Sequence, residues 1–338
     1  MAGADLGIDL GTTKIIVYRP GKGIVLEEPS VVAYHRRSEE VIAVGHEALR
    51  MLGKTPAYIQ TEYPIRDGVI SNHFFTEYLI KHFVKKVSRN FLFKPQIAIC
   101  IPSAITDVEA RAVVEAAMAA GARKVYLIDE PLAAAIGAGI DVTKPEGHMI
   151  VDSGGGTTDV AVISLGGIVC SSSLKVAGNA FDDAIVKHIQ QKYKLAIGTR
   201  VAEMLKQSIG CVFEPDPDVS GEVKGRNLIT GIPERVTVTQ AELFEALWPI
   251  ALEIVTAIRD TLERTPPELV GDIQENGIIM TGGTALMKGF TDLIYNAIGV
   301  PVRVADNSVG CVGIGTGRCF EMIDQLKEGF DKANTYHH

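Results

Sequence analysis

The sequence predicts an α/β protein built from two related lobes. Short runs of aliphatic and β-branched residues alternate with helical runs, which is typical of α/β folds. A turn rich in glycine and threonine at residues 9–13 returns at residues 152–158, each time after an apolar strand and before a β-branched one. The chain has 338 residues, enough for about two domains. Two copies of one α/β unit, facing each other across a cleft, explain the pattern most economically.

The elements of the first unit follow from local apolar spacing. Strands are predicted on both sides of the first turn within residues 7–18, at 23–34 with a break at Glu28-Pro29, at 95–101 and at 124–128. Helices are predicted at 74–87, 106–121 and 130–138. The middle helix begins with a capping box, because Glu109 follows Thr106 at the third position, and it ends at Gly121.

The second unit begins at Met149 and repeats this pattern. Strands are predicted at 149–152, 159–165 and 277–281, and helices at 181–192 and 199–209. Polar residues 216–237 carry hairpin signals, and Thr239 with Glu242 forms a second capping box that opens a long helix. We expect lobe I to contain residues 1–140 and 302–338, with a small subdomain at about 34–63. We expect lobe II to contain residues 141–301, with a small subdomain at about 209–275.

Charge and composition limit the possible partners. There are 33 lysines and arginines against 41 aspartates and glutamates, a formal net charge of −8. This balance argues against nucleic acid as a partner, since phosphate neutralisation needs clustered cations, whereas a nucleotide needs only a local site. The five cysteines are scattered without metal-ligand spacing, which favours reduced thiols in a cytosolic core. We find no signal peptide and no apolar run approaching about 20 residues, so we expect a soluble cytoplasmic protein.

The two glycine turns have the composition of phosphate-binding sites. A strand–turn–strand with glycine and threonine at its tip can direct several backbone N–H groups into one concavity, and glycine permits close approach and positive φ. Lys14 offers a cation beside the first turn. Asp9 and Asp152 stand at corresponding strand ends, where two carboxylates suit a Mg²⁺ ion held through its water molecules. The alternative is two ordinary glycine hairpins with capping aspartates, which two matched copies make less favourable.

Other phosphate motifs are absent or lack their structural setting. The sequence contains no G-x-x-x-x-G-K-[ST], and residues 313–317 lack the strand–helix context of a dinucleotide fingerprint. Residues 281–284 place two glycines between a predicted strand and a helix, where a base or ribose can lie against the backbone. A plain tight turn explains the same residues equally well.

The order of these motifs resembles the superfamily of actin, heat-shock chaperone and sugar-kinase ATPases. The motifs in question are residues 9–13, Glu130-Pro131, residues 152–158 and residues 281–283. Within that superfamily the chain resembles the MreB family of bacterial actins, over residues 7–320. The more specific segments are residues 23–33, 130–139, 223–231 and 299–302. The resemblance implies an actin-like ATPase fold, with two lobes flanking a nucleotide cleft and a smaller subdomain on each.

The resemblance also implies roles for individual residues. ATP or ADP would lie between the lobes with Mg²⁺, which Asp9 and Asp152 would hold through water. The residues implied in nucleotide binding are Gly11, Thr12, Thr13, Lys14, Gly154, Gly155, Gly156, Thr157, Thr158, Gly178, Glu203, Lys206, Gly282, Gly283 and Thr284. Glu203 and Lys206, three residues apart on one helix, would reach ribose and adenine; the alternative is a surface ion pair.

The same resemblance makes Glu130 and Thr157 the catalytic pair. Glu130 would orient or activate the attacking water, with Thr157 assisting, because phosphoryl transfer to water depends on positioning and charge neutralisation. From the residues alone, Glu130 is equally a carboxylate placed at a helix N-terminus by the helix dipole.

Four positions depart from the family pattern. These are Thr13-Lys14-Ile15, Asn179 where an acidic residue is usual, Asp159 where Glu is common, and Thr284 in place of a third glycine. Such changes bear on hydrolysis rate and nucleotide preference, and the predicted fold does not depend on them.

One apolar loop is a candidate for membrane contact. Phe91, Leu92 and Phe93 lie between Arg89 and Lys94, just before a predicted strand. Composition alone favours a loop buried over the core. The resemblance favours insertion into an anionic membrane surface, with the cations at the headgroups and the aromatic rings at the interface.

The resemblance implies a function in the cell. It implies an ATPase that polymerises with itself into filaments at the inner face of the cell membrane and organises cell-wall synthesis for cell shape, alongside membrane proteins of wall elongation. The alternatives are another prokaryotic actin-like filament, for partitioning or positioning, and a sugar-kinase-like enzyme. The kinase would need a polar second substrate pocket and a longer chain, and the sequence indicates neither.

Overall fold

Two large sheets organise the molecule. The computed structural model describes residues 5–88, 94–102, 105–326 and 330–332, the last three as backbone only. The lobe I sheet consists of β1 (Leu6–Leu10), β2 (Lys14–Arg19), β3 (Gly23–Pro29), β9 (Gln96–Ile101), β10 (Lys124–Asp129) and β19 (Phe330–Lys332). The lobe II sheet consists of β11 (His148–Ser153), β12 (Thr158–Ser164), β13 (Gly167–Leu174), β17 (Ile278–Thr281) and β18 (Val302–Val304).

The two sheets share one topology, as the internal repeat predicts. In lobe I, β1, β2 and β3 form an antiparallel meander, and β9 and then β10 extend the sheet in parallel from β1. In lobe II, β11, β12 and β13 form the same meander, and β17 and then β18 extend it in parallel from β11. The prediction of two related α/β units is confirmed.

The remaining strands and the helices surround these sheets. The smaller strands are β4 (Val32–His35), β5 (Val41–Val44), β6 (Ile59–Glu62), β7 (Ile65–Arg66), β8 (Val69–Ile70), β14 (Leu195–Ala196), β15 (Ser220–Asn227) and β16 (Pro233–Thr239). The helices are α1 (Gly45–Met51), α2 (His73–Ser88), α3 (Asp107–Ala119), α4 (Glu130–Gly137), α5 (Gly178–Tyr193), α6 (Thr199–Ile209), α7 (Gln240–Arg264), α8 (Pro267–Asn276), α9 (Phe290–Ile298) and α10 (Cys311–Arg318). Short 3₁₀ turns lie at Thr284–Leu286, Ser308–Gly310 and Cys319–Glu321.

Local signals placed several helices correctly. The capping boxes of α3 and α7 both form. The side chains of Thr106 and Thr239 each accept a hydrogen bond from the backbone N–H three residues later, and the glutamate side chain at that later position accepts one from the backbone N–H of the threonine. The helix predicted at 199–209 begins and ends at the same residues as α6. Helices α2 and α3 bury apolar side chains in the core of lobe I, and α5, α6, α7 and α9 bury theirs in the core of lobe II.

The predicted subdomain boundaries need two corrections. Strand β18 pairs with β17, so the lobe II sheet extends past the boundary expected at residue 302. The small subdomain of lobe II is built on the sheet β14–β15–β16 with α6 packed on it. The range expected for it, 209–275, also contains α7 and α8, which instead pack on the large sheet. The sequence predicted α7 from its capping box and did not predict α8, and local signals cannot specify which sheet a helix covers.

Lobe I has a small subdomain close to the one expected. The sheet β5–β4–β6 packs with α1 and covers about residues 32–62, against the predicted 34–63. The apolar loop with Phe91, Leu92 and Phe93 lies outside the described residues. Within the described ranges, no helix combines the length and apolar character needed to cross a membrane.

Helices α4 and α10 form a layer between the two sheets. Helix α10 packs on β1, β2 and β9, whereas α4 packs on β11 and β12 as well as on β9 and β10. One continuous cluster of buried residues therefore joins the lobes through Ala133 of α4, Cys311 of α10, Ile150 of β11 and Ala98 of β9.

Glycine makes the contact between α4 and α10 unusually close. A Cβ atom on Gly315 would lie 1.7 Å from the carbonyl oxygen of Ala133, and one on Gly137 would lie 1.9 Å from that of Cys311. The glycine run at 313–317, which the sequence could not assign to a dinucleotide site, thus serves helix packing. Its other members face β2, where a Cβ on Gly317 would meet Tyr18 at 2.0 Å.

We expect Gly315→Ala to destabilise the protein by about 1–3 kcal/mol or more, because a methyl group there must push the two backbones apart. Urea denaturation followed by circular dichroism measures this change. Gly271→Ala is the matched control, since Gly271 lies in α8 with open space around it. There the same substitution is expected to stabilise the helix by about 0.5–1 kcal/mol. Equal effects at both sites would contradict the packing argument.

Candidate functional site

A cleft of about 480 Å³ opens where the ends of β1 and β11 face each other. The residues predicted for the site that line it are Asp9, Gly11, Thr12, Thr13, Lys14, Glu130, Asp152, Gly154, Gly155, Gly156, Thr157, Gly178, Glu203, Lys206, Gly282, Gly283 and Thr284. The fold thus brings together residues from both halves of the chain. Among the residues predicted to bind the nucleotide or the metal or to act in catalysis, Thr158 is the one that does not line the cleft.

Thr158 supports the second turn from behind. Its side chain is fully buried, and its hydroxyl donates to the carbonyl of Val176 at 2.7 Å and lies 2.7 Å from the hydroxyl of Ser153. Alternation along a strand turns neighbouring side chains to opposite faces, so Thr157 faces the cleft and Thr158 the core. The sequence prediction for Thr158 is corrected on this ground.

The two glycine turns touch each other across the cleft. A Cβ on Gly155 would lie 2.3 Å from the methyl group of Thr13, and one on Gly156 would lie 2.7 Å from the hydroxyl of Thr12. None of the turn glycines at 11 and 154–156 has positive φ. Of the two reasons expected for glycine here, close approach is therefore the one that applies. Side chains at positions 155 and 156 would separate the lobes.

A third turn, which the sequence analysis did not identify, completes this contact. Residues Asp67 and Gly68 connect β7 and β8, and the N–H of Gly68 donates to the hydroxyl of Thr12 at 3.2 Å. Asp67 has φ of 49°, and its backbone lies against Gly156. The Asp-Gly pair is a recognisable turn signal, but nothing in the local sequence shows that it meets the glycine turns.

Two carboxylates lie at the base of the cleft. Burial raises the pKa of both Asp9 and Asp152 to about 6. The thiol of Cys100 donates to Asp9 at 3.3 Å, and the hydroxyl of Thr281 donates to Asp152 at 2.7 Å. Each bond lowers the pKa of its carboxyl somewhat, but burial has the larger effect.

Two further carboxylates add negative charge behind this pair. Burial raises the pKa of Glu130 well above its ordinary value, and the charges of Asp159 and Asp9 raise it further. Burial also raises the pKa of Asp159 to about 7. Asp159 is the cross-strand partner of Asp152, so its place beside the cleft follows from the register of β11 and β12. In the sequence, Asp159 stands out only as a departure from a family pattern.

The donor set of the cleft fits a hydrated cation. Within the part of the chain that the structure describes, no group of three or more His, Cys, Asp or Glu side chains is arranged to hold a metal directly. Asp152 is nevertheless a buried carboxylate and Asp9 a half-buried one, and each has a neutral hydrogen-bond donor beside it. A Mg²⁺ ion that keeps several waters needs one or two such carboxylates together with phosphate oxygens.

Two of the three lysines lining the cleft are in ion pairs, and the third, Lys288, donates to Gln240 Oε1 at 3.3 Å. Lys14 lies 2.6 Å from Glu27, with both side chains about half exposed. Lys206 lies 2.8 Å from Asp182 and donates to the carbonyl of Gly178 at 2.8 Å. The surface ion pair considered between Glu203 and Lys206 is therefore not formed. Asp182 was not predicted, because its partner lies on a different helix.

Thr284 connects the end of the cleft lined by Gly282 and Gly283 to the second turn. Its hydroxyl donates to the carbonyl of Gly154 at 2.8 Å, which gives a reason for threonine at this position. Gly282 has φ of 83°, and a Cβ there would lie 2.1 Å from the carbonyl oxygen of Ser153. Leu286 lines the same end of the cleft with 64% of its surface exposed, so a flat apolar face is available to a ligand.

Comparison with known proteins identifies relatives over nearly the whole chain. The family model described as MreB/Mbl protein matches residues 3–328. The cell shape-determining protein Mbl of Bacillus subtilis is 48% identical over 330 residues, which cover 96% of this chain and 98% of that protein. The cell shape-determining protein MreB of Escherichia coli K12 is 46% identical over 326 residues, covering 95% and 94% respectively.

Solved structures confirm the actin-like fold. MreB5 of Spiroplasma citri bound to ADP matches with a TM-score of 0.91 at 36% identity, covering 100% of this chain and 99% of that one. The same protein bound to AMPPNP matches with a TM-score of 0.90 at 37% identity, covering 96% and 98%. The MamK double helical filament, at 23% identity and a TM-score of 0.81, shares the fold, with coverage of 95% and 99%.

Asp159→Asn is expected to stabilise the protein without nucleotide or divalent cation, and more at pH 8 than at pH 5. The pKa of Asp159 rises from 3.8 to about 7 on folding. Between these values the folded protein keeps a proton that the unfolded chain has released, so the free energy of unfolding falls as the pH rises through that range. One pKa unit is worth about 1.4 kcal/mol, which sets an upper limit of roughly 4 kcal/mol.

Thermal unfolding of the wild type and of Asp159→Asn at the two pH values measures the gain in stability. Asp183→Asn, at an exposed position on α5, is the control and should change stability little at either pH. A gain in stability for Asp159→Asn that is equal at both pH values would contradict a pKa of Asp159 that burial has raised to about 7.

Proposed function

The chain belongs to the MreB/Mbl protein family, and from that premise we propose that it is an ATP-binding and ATP-hydrolysing bacterial actin. The observation that supports this best is the convergence of two matched Gly/Thr turns and two carboxylates on one cleft. MreB5 of Spiroplasma citri binds ADP in one solved structure and AMPPNP in another. A nucleotide with its phosphates between the turns is the ligand that suits this geometry.

The phosphates would be held by backbone N–H groups and threonine hydroxyls of the two turns. Lys14 would exchange its exposed partner Glu27 for phosphate oxygens. The ribose and adenine would lie toward Glu203, Lys206, Gly282 and Gly283 at the other end of the cleft. A Mg²⁺ ion bound near Asp9 and Asp152 would neutralise part of the negative charge of the phosphates.

Glu130 has the position and environment of a proton acceptor. It is the first residue of α4, it is 8% exposed, and it lines the cleft. In its ionised form, a carboxyl whose pKa is raised is a stronger base than an ordinary glutamate and accepts a proton from an attacking water more readily. Thr157, at the end of the second turn, would orient the same water with its hydroxyl.

Filament formation and a role in cell shape follow as further parts of the proposal. Both relatives named above are cell shape-determining proteins, and MamK, which shares the fold, is solved as a filament. We expect the chain to polymerise with itself, at the inner face of the cell membrane, and to act with membrane proteins of cell-wall elongation. Many weak membrane contacts along a filament add up to stable attachment.

Glu130→Gln is expected to retain ATP binding and to reduce the release of phosphate by about 10²–10⁴-fold, because the amide cannot accept a proton. A phosphate-release assay gives the rate, and isothermal titration calorimetry gives the ATP affinity. Glu115→Gln, at an exposed position on α3, is the control and should leave both values unchanged. Normal phosphate release from Glu130→Gln would remove Glu130 from the catalytic role.

Replacing Phe91, Leu92 and Phe93 by serine is expected to abolish co-sedimentation with anionic liposomes, since these residues would supply the inserted apolar surface. Circular dichroism and ATP affinity test whether the fold is retained. The control is Leu165→Ser, which removes a large apolar side chain that is 53% exposed between β12 and β13. If the triple variant sediments with liposomes as the wild type does, the loop has no role in membrane binding.

Electron microscopy of the wild type with ATP and Mg²⁺, with and without an anionic lipid monolayer, tests polymerisation directly. Filaments that lie on the lipid would support the whole proposal. ATP turnover that depends on an added small molecule, with no filaments in any nucleotide state, would favour a kinase on the same fold.

A further inference from the structure

Each of the two cleft aspartates receives a hydrogen bond from the neighbouring parallel strand. Asp9 on β1 accepts from the thiol of Cys100 on β9 at 3.3 Å. Asp152 on β11 accepts from the hydroxyl of Thr281 on β17 at 2.7 Å. In both lobes the donor stands on the strand that pairs in parallel with the strand carrying the aspartate.

The positions of the two donors correspond through the internal repeat. In lobe II, Thr281 is the register partner of Asp152. In lobe I the register pairs Ile8 with Ile99, and the next residues along these two strands are Asp9 and Cys100. The duplicated unit therefore has a donor at one equivalent place, which is a thiol in one copy and a hydroxyl in the other.

Both donors are buried and contact the carboxylates from the side away from the cleft. Cys100 is 1% exposed and Thr281 is not exposed at all, and neither lines the cleft, whereas both aspartates do. Neither donor can therefore contact a ligand directly. Each bond engages the Oδ1 atom of its aspartate, which restricts rotation of the carboxylate.

We propose that Cys100 and Thr281 are paired positioning residues, which hold the carboxylates of Asp9 and Asp152 in the orientation that a hydrated Mg²⁺ bound with nucleotide requires. This inference rests on the proposed function, and it adds to it the residues that orient the two carboxylates. Partners of this kind change metal affinity by about 10–100-fold when they are removed.

The two lobes should differ in how firmly they hold their aspartate. A hydroxyl is a stronger donor than a thiol, and the bond from Thr281 is shorter by the difference expected between oxygen and sulfur. Asp152 is therefore the more firmly oriented carboxylate, and Asp9 has more rotational freedom. Removing Thr281 should accordingly weaken Mg²⁺-dependent binding more than removing Cys100.

The test measures ADP affinity by isothermal titration calorimetry, once with Mg²⁺ and once with EDTA, so that no turnover is involved. Thr281→Val keeps the shape of the side chain and removes the donor. We expect it to reduce the Mg²⁺-dependent gain in ADP affinity by about 10–100-fold, with ADP affinity in EDTA unchanged. Cys100→Ala is expected to reduce the same gain by about threefold.

Conservative variants and a matched control separate positioning from general damage. Thr281→Ser and Cys100→Ser retain a hydrogen-bond donor and should show the same Mg²⁺-dependent gain in ADP affinity as the wild type. Thr261→Val removes a hydroxyl that is equally buried but donates within α7, so it should lower stability without changing the gain. A loss of ADP affinity in EDTA that is as large as the loss with Mg²⁺ would overturn the positioning role.

The outcomes also distinguish this inference from the proposed function. A wild type that binds no ADP under either condition would contradict both. A wild type whose ADP affinity rises with Mg²⁺, together with a Thr281→Val variant that shows the same rise, would overturn the positioning role alone. The proposed nucleotide binding would then stand.

Discussion

The backbone contact between α4 and α10 sets the distance between the two lobes. Carbonyl oxygens of each helix lie where the Cβ atoms of Gly315 and Gly137 would be, so the helix axes approach as closely as backbones permit. Because α4 covers the lobe II sheet and α10 the lobe I sheet, this spacing is passed on to both sheets. The facing ends of β1 and β11 are thereby brought near enough for the glycine turns to touch across the cleft.

That closeness has an electrostatic consequence. The same spacing places Asp9, Asp152, Asp159 and Glu130 together with little access to water, and burial raises the pKa of each. Ionised carboxylates this close destabilise the empty protein at neutral pH. The cleft is therefore complementary to a ligand that brings positive charge with it, and it is less stable without one. Functional sites often conflict with stability in this way.

Much of the fold was predictable from the sequence because its signals are local. Capping boxes, apolar spacing and glycine turns depend on residues within a few positions of one another, and they located α3, α6 and α7 closely. The internal repeat predicted the shared topology of the sheets. Local signals could not assign α7 and α8 to the large sheet or β18 to lobe II, because those placements depend on packing between distant segments.

The sequence alone determined the two turns, since the repeat marks equivalent positions in each copy, and its resemblance to a known family implied the type of protein and most residues of the cleft. Tertiary structure alone decided which side chains meet there. Lys206 pairs with Asp182 rather than Glu203, Gly68 contacts Thr12, and Thr158 faces the core. The donors to Asp9 and Asp152 are 91 and 129 residues away along the chain. Such partners are fixed by strand register and helix packing, which bring together residues that no local pattern connects.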